Sequence, residues 1–296
     1  MPPAFCIPFH DGAGAFQRMA GGKIWNLPAV GLLALLAVAP SLGCRAKGPL
    51  AALEDRLIYY PDPYPEGDWQ PAGLHVEDAW FAAADGTKLH GWFCPHPRPR
   101  AVVLFAHGNE GNVSQNAELL RRLHLRLGVA VMAFDYRGFG RSEGSPDEAG
   151  ILQDARAARA WLAQRTGLAE RDIVLMGRSL GGAVAIDLAA DGGARGLIVE
   201  SSFTTLPEVA AAKVRWLPIR RLMRTELDSL SKIAAYRGPL LISHGDADEL
   251  IPFEQGERLF AAAAGRKQFV RIPGGGHNDP QTAEYYQALD WFLAEL

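Results

Sequence analysis

Residues 76–82 and 88–94 are two strand-length runs rich in apolar and aromatic positions, with Asp85-Gly86 between them. Two such runs around an Asp-Gly pair predict a β-hairpin. The pattern then changes. Ala101-Val102-Val103-Leu104-Phe105-Ala106 is an unbroken apolar run of strand length, which predicts a strand buried on both faces. Similar short runs predict strands over 129–134, 172–176, 196–200, 240–243 and 268–272. Between them, helical spacing or helix-forming composition predicts helices over 113–127, 147–164, 182–189, 253–263 and 282–296. Residues 50–60 read as a short helix or an extended lead-in, and Pro61-Asp62-Pro63-Tyr64-Pro65 after them excludes regular structure.

A hairpin followed by alternating strands and helices predicts an α/β fold, a doubly wound and mostly parallel sheet with helices on both faces. Ligands of such sheets bind beyond the carboxyl ends of the strands. The turns after Ala106, Met176, Ser243 and Ile272 should therefore share one edge. Residues 206–236 interrupt the alternation. They are helical in composition, are broken by Pro207 and Pro218, and carry Lys213, Arg215, Arg220, Arg221 and Arg224 beside Val214, Trp216, Leu217, Ile219, Leu222 and Met223. This stretch is expected to form a small cap over the strand ends. Its apolar residues could line an acyl pocket. Its arginines read as a solvated face or as contacts to anionic lipid head groups.

The first 44 residues form a separate stretch. Lys23 precedes an uncharged run from Ile24 to Cys44 with an apolar core of about eleven residues, Ala29 to Ala39. That core is shorter than the roughly twenty residues of a spanning helix. A basic start, a short apolar core and small residues at its end describe an export signal. Ser41-Leu42-Gly43-Cys44 resembles a bacterial lipobox, in which the cysteine is lipidated and becomes the mature N-terminus. Ser41 departs from the leucine usual there, and Pro40 lies just upstream. Met19 makes a better signal start than Met1, so residues 1–18 read as an over-long gene start. The alternative for the leader is an uncleaved signal anchor. The expected organisation is thus a leader over 1–44, an extension over 45–75, and one domain over 76–296 with the cap at 206–236. The location that follows is the cell envelope, with membrane attachment through the leader.

Composition narrows the partners. The chain has 296 residues, 48% of them hydrophobic, and a net charge of −3, so it supports a sizeable core and no global field drawing it to nucleic acid. No internal repeat of solenoid period is present. Of three cysteines, Cys6, Cys44 and Cys94, only Cys94 would remain unmodified in a lipidated mature chain, which leaves no disulfide. Cys94 reads as a small buried residue near a strand end.

The chemistry concentrates in Gly177-Arg178-Ser179-Leu180-Gly181. This G-x-S-x-G follows a predicted strand and opens a predicted helix, the context in which it forms a nucleophile elbow with its serine hydroxyl exposed. A serine hydroxyl is a weak nucleophile at neutral pH and needs a base, which in turn needs an acid to hold its tautomer. His277, in Pro273-Gly274-Gly275-Gly276-His277-Asn278 after the last strand, can reach over the sheet edge as the base. The acid should lie between serine and histidine in the chain. His244-Gly245-Asp246-Ala247-Asp248-Glu249 follows a strand and holds three carboxylates. Asp248 is the first choice and Asp246 the second, with Glu249 pointing to solvent; Glu200, at the end of the preceding strand, is a topologically allowed substitute. A developing oxyanion needs backbone donors. These are assigned to Leu180, after the nucleophile, and Asn109, in His107-Gly108-Asn109-Glu110-Gly111-Asn112. His107 is expected to brace that loop.

On these motifs residues 76–296 resemble the α/β-hydrolase fold superfamily. His107-Gly108-Asn109 resembles its oxyanion loop, Asp135 to Ser142 its loop after the following strand, Gly177 to Gly181 its elbow, and His244 to Asp248 with Ile251-Pro252 its acid loop. The Asn in the oxyanion loop, Glu200-Ser201-Ser202-Phe203 and the short cap resemble a subgroup of protein depalmitoylases and bacterial hydrolases. The leader is atypical of the eukaryotic members. The resemblance implies a cofactor-free serine hydrolase acting on carboxylic esters or thioesters of a small or lipid-like acid through an acyl-enzyme. An amide hydrolase and a non-catalytic envelope binding protein are the alternatives.

Other chemistries fit less well. Gly138-x-Gly140 follows a strand, but Glu143 stands at the third position of a dinucleotide fingerprint. His90, Cys94 and His96 lack a second ligand cluster, so neither nucleotide nor metal is expected. An aspartate-nucleophile reaction on this fold is disfavoured by Ser179.

Overall fold

The computed structural model describes residues 49–296 apart from 215 and 217. The expected leader, Cys6, Cys44, Arg215 and Leu217 lie outside the described residues. The described residues form one compact unit, so residues 49–75 of the expected extension belong to the body of the fold. Its helix α1 (Pro49–Ile58) leads into the two-residue strand β1 (Tyr60–Pro61).

The predicted hairpin is β2 (Glu77–Ala82) and β3 (Lys88–Cys94), paired antiparallel. The buried runs follow as β4 (Val102–Ala106) and β6 (Ala130–Phe134), with the short β5 (Glu110–Gly111) between them in the chain. Residues 113–127 do not make one regular helix. A 3₁₀ turn at Val113–Asn116, capped by the Asn112 side chain, runs into α2 (Ala117–Arg121) and a π turn at Arg122–Arg126. Leu120, Leu123 and Leu127 all still reach the core. Beyond β6 come α3 (Glu148–Thr166), β7 (Val174–Arg178), α4 (Leu180–Gly192) and β8 (Gly196–Glu200). The cap follows as three short helices, α5 (Leu206–Lys213), α6 (Ile219–Leu222) and α7 (Ser229–Ala235). The chain closes with β9 (Leu240–Gly245), α8 (Phe253–Ala262), β10 (Lys267–Ile272) and α9 (Ala283–Ala294).

Eight strands form the main sheet in the order β10-β9-β8-β7-β4-β6-β3-β2, parallel from β10 through β6 and antiparallel at β3 and β2. Alternate residues of the central strands enter different core clusters. Leu104, Met132, Leu175 and Val199 pack with α3, α4, α7 and α8, while Phe105, Val131, Met176 and Ile198 pack with the α2 region and α9. A period of two on a central strand sends successive side chains to opposite faces, so each run had to be apolar throughout. Burying each Leu or Phe contributes about 1.5–3 kcal/mol. On α3, Ile151, Ala155, Ala158 and Leu162 are buried at helical spacing. Asp147 caps its start through the Gly150 amide, and Gly167 ends it with φ 70°.

The parallel strands all point their carboxyl ends to one edge. There β1 pairs with β5, Tyr60 beside Glu110, and fastens the lead-in segment to the loop after β4.

Candidate active site

β7 ends at Arg178, and α4 begins at Leu180, so Ser179 alone makes the turn. Its backbone sits at φ 55° and ψ −120°, a region that side chains avoid. Such a conformation costs about 1–3 kcal/mol and persists only where its surroundings enforce it. Here the Ser179 amide donates to the Glu200 carbonyl at 2.9 Å, and its carbonyl accepts from Ser202 Oγ at 2.9 Å. The two flanking glycines permit the turn. A Cβ on Gly177 would strike the Gly181 backbone, and one on Gly181 would strike the Ala106 and His107 carbonyls.

The loop between β10 and α9 brings His277 across the strand ends. Its Nε2 lies 3.1 Å from Ser179 Oγ, and its Nδ1 lies 2.8 Å from Asp248 Oδ2. Asp248 Oδ1 accepts the amides of Leu250 and Ile251 at 2.9 and 2.8 Å. With both Asp248 oxygens acting as acceptors, Nδ1 carries the proton and Nε2 presents a lone pair to the serine hydroxyl. Burial alone would raise the pKa of the Asp248 carboxyl. Hydrogen bonds from His244 and His277, the charge of His277 and the Ile251 amide outweigh it and hold the group below the usual carboxylate range.

The other carboxylates are placed elsewhere. Asp246 accepts from the Gly274 amide at 2.6 Å and from Arg271 Nε at 2.8 Å, so it braces the loop carrying His277 rather than the imidazole. Glu249 is exposed, and its carbonyl accepts from Lys213 of the cap. Glu200 is buried under the sheet edge and accepts from the Tyr285 hydroxyl. Burial raises its pKa, against the opposing pull of Arg178, Tyr285 and Gln281.

Leu180 opens α4, and the first amides of a helix have no partner within it. The loop after β4 lies against the elbow: a Cβ on Gly108 would come within 3.8 Å of Ser179 Cβ. Asn109 is pinned on its side-chain and carbonyl sides, its Nδ2 donating to the Ile58 carbonyl at 2.6 Å and its carbonyl accepting the Tyr60 amide at 2.8 Å. His107 is buried, its Nδ1 is 2.8 Å from the Gly108 carbonyl oxygen, and its own carbonyl accepts the Tyr136 hydroxyl at 2.9 Å. Burial lowers its pKa despite Asp135 and the Gly108 carbonyl, which favours a neutral bracing ring.

Two contributors escaped the sequence reading. One is the junction of α1 and β1, whose backbone fixes Asn109; residues 50–60 carry no motif that announces this contact. The other is His244, fully buried, with Nε2 2.9 Å from the Ile251 carbonyl oxygen and 3.4 Å from Asp248 Oδ2. Its place four residues before Asp248 at a strand end was the available signal.

The apolar residues of the cap do not share one inward face. Trp216 and Leu222 are 67% and 48% exposed, whereas Met223 packs against the core. Arg220 pairs with Glu208 at 2.9 Å, and the Arg224 and Thr225 amides donate to Glu54 of α1. His90 contacts Asp78 and Asp135, and Cys94 is buried with its thiol pushed up to about 12 by burial. Among the described residues no group of three or more His, Cys, Asp or Glu is arranged to hold a metal ion, and no helix is long and apolar enough to cross a membrane.

A family model described as serine aminopeptidase, S33, matches residues 97–222. A Mycobacterium tuberculosis protein is 41% identical over 240 residues, which cover 79% of this chain and 84% of that protein. The Arabidopsis thaliana α/β-hydrolase domain-containing protein WAV2 is 33% identical over 258 residues, 78% of this chain and 83% of that one. An esterase from Pyrococcus furiosus superposes with a TM-score of 0.68 at 19% identity, covering 80% of this chain and 97% of that structure. With the elbow, the sheet order and these relatives together, the chain belongs to the α/β-hydrolase superfamily and is a hydrolase.

Proposed function

We propose that this hydrolase cleaves carboxylic esters or thioesters by a serine mechanism, with Ser179 as nucleophile, His277 as base and Asp248 as orienting acid. The observation that carries the reading is the continuous path from Ser179 Oγ to His277 Nε2 at 3.1 Å and from His277 Nδ1 to Asp248 at 2.8 Å, set on a strained elbow. Ser179 Oγ attacks the acyl carbonyl as its proton passes to His277 Nε2. The carbonyl oxygen takes the negative charge and is held by the Leu180 and Asn109 amides. Collapse of the tetrahedral adduct expels the alcohol or thiol, which takes the proton from His277. Water then gives a proton to His277 and attacks the acyl-serine; the second collapse releases the acid and restores the serine hydroxyl. Asp248 stays ionised throughout and stabilises the imidazolium.

The test is hydrolysis of p-nitrophenyl esters, acyl thioesters and an aminoacyl anilide by the wild type and Ser179→Ala. Ester or thioester turnover is expected, and it should fall about 10⁴-fold or more in the variant, because triad members act as a unit. Turnover of the anilide alone would place the enzyme with the amide hydrolases instead. Undiminished turnover in Ser179→Ala, with circular dichroism unchanged, would rule out the mechanism.

A further inference from the structure

We propose that Arg178, the residue immediately before the nucleophile, is a positioning residue that holds His277 within reach of Ser179 by gripping the His277 backbone. This inference rests on Ser179 and His277 acting together as described above.

The need for such a device follows from the loop itself. His277 stands after three consecutive glycines, Gly274, Gly275 and Gly276, which place few limits on the backbone. The ring makes polar contacts to Ser179 and Asp248, both on the reaction path. Those contacts must shift as the proton moves, so the position of the loop has to be set through its backbone. Asp246 does this at Gly274, three residues upstream. Arg178 does it at His277, where Nη2 donates to the carbonyl at 2.6 Å and lies 3.5 Å from the Asp279 carbonyl.

The sheet explains why Arg178 can reach. Val174 and Met176 pack in the cluster that holds Tyr285 and Leu289 of α9. Arg178 continues that parity, so its side chain leaves β7 on the α9 face. The loop carrying His277 enters α9 from the same side. In register beside Arg178 on β8 stands Glu200, whose side chain is buried against Tyr285 and Gln281. Both carbonyl contacts come from the one Nη2, and the planar, rigid guanidinium fixes the direction in which its N–H groups point. A lysine at this position supplies the charge and donors on a single nitrogen, but on a flexible stem without the planar group that aims them.

The experiment measures kcat and KM on a short-chain p-nitrophenyl ester for the full-length wild type, Arg178→Ala, Arg178→Lys, Glu200→Gln and Ser179→Ala, with a melting temperature for each. A displacement of about 1 Å in a reacting group can cost on the order of 100-fold. Arg178→Ala is therefore expected to lower kcat roughly 10- to 100-fold with KM changed by less than about twofold, and Arg178→Lys to recover at least about a third of the loss on a logarithmic scale. Glu200→Gln should lower kcat less than Arg178→Ala. Wild-type kcat in Arg178→Ala, or a loss that lysine does not relieve at all, would overturn the inference. If Arg178→Ala does not fold, Arg178→Met, which keeps the length of the side chain without its donors, decides instead, since wild-type kcat in that variant would overturn the inference equally. Full activity in Ser179→Ala is a different outcome, because it removes the serine mechanism itself.

Discussion

Asp248 and Asp246 are two residues apart on one loop, yet they meet different partners. Asp248 faces the His277 ring and two backbone amides; Asp246 faces Arg271 and the Gly274 amide. Asp248→Asn leaves its one acceptor oxygen to the Leu250 and Ile251 amides and turns an NH₂ donor toward His277 Nδ1, so the imidazole loses the partner that fixes its tautomer, and about a 10⁴-fold fall in kcat is expected. Asp246→Asn retains an acceptor oxygen for Gly274 and should cost far less. Steady-state kinetics on the two purified variants checks the order, which the reverse ranking would contradict. The lowered pKa of Asp248 also fixes a sign. A carboxyl depressed in the folded state stabilises the fold above its unfolded value near 4, and the contribution fades as pH falls toward the folded value. Its ionisation therefore adds no inflection of its own to the rate profile between pH 5 and 9. That Ser179, His277 and Asp248 come together was legible because each follows a strand end in a fixed chain order. Arg178 was not legible. A charged side chain inside the pentapeptide does not tell which backbone carbonyl it will meet, since that carbonyl lies 99 residues away.

At the scale of elements, the elbow depends on how closely α4 approaches β4. Gly181→Ala drives a methyl group into the Ala106 and His107 carbonyls, which are backbone and cannot swing aside. Overpacking of this kind costs about 1–3 kcal/mol and more when the backbone must move. A fall of at least several degrees in melting temperature is expected, with activity lost, whereas a wild-type melt would contradict the close approach. The cap has a looser attachment. Glu54 of α1 accepts the amides of Arg224 and Thr225, and Glu148 accepts those of Glu226 and Leu227. Glu54→Ala frees only the first of these ties. Faster cleavage by trypsin near Arg220–Arg224 is expected in limited proteolysis, with little change in melting temperature; unchanged cleavage would show that α1 does not restrain the cap. Strands were the most legible elements because buried central strands must be apolar at every position. The α2 region was the least legible. Its leucines keep helical spacing while the backbone passes from a 3₁₀ turn through α to a π turn, and periodicity alone does not register such a change of pitch. The pairing of β1 with β5 spans about 50 residues and involves two residues on each side, too short for any pattern.

On the scale of the whole molecule, a sheet buried on both faces brings the loops after its parallel strands to one edge, and Ser179, His277 and Asp248 meet there. The sequence also contains residues 24–44, an apolar stretch ending in Gly43-Cys44, five residues before α1 begins. We expect export and lipid attachment at Cys44. Mass spectrometry of the N-terminal peptide from the native host should find a lipidated cysteine at position 44; an unmodified peptide spanning that position would contradict attachment there. The location of the hydrolase bears on which substrates it meets, whereas the proposed serine mechanism turns on one oxygen atom. The most direct test is reaction with a fluorophosphonate probe followed by peptide mapping. The serine mechanism predicts a single phosphonyl adduct on Ser179, formed in step with loss of esterase activity and absent from Ser179→Ala. Full loss of activity without an adduct on Ser179, or an adduct on another residue that alone tracks the loss, would contradict it.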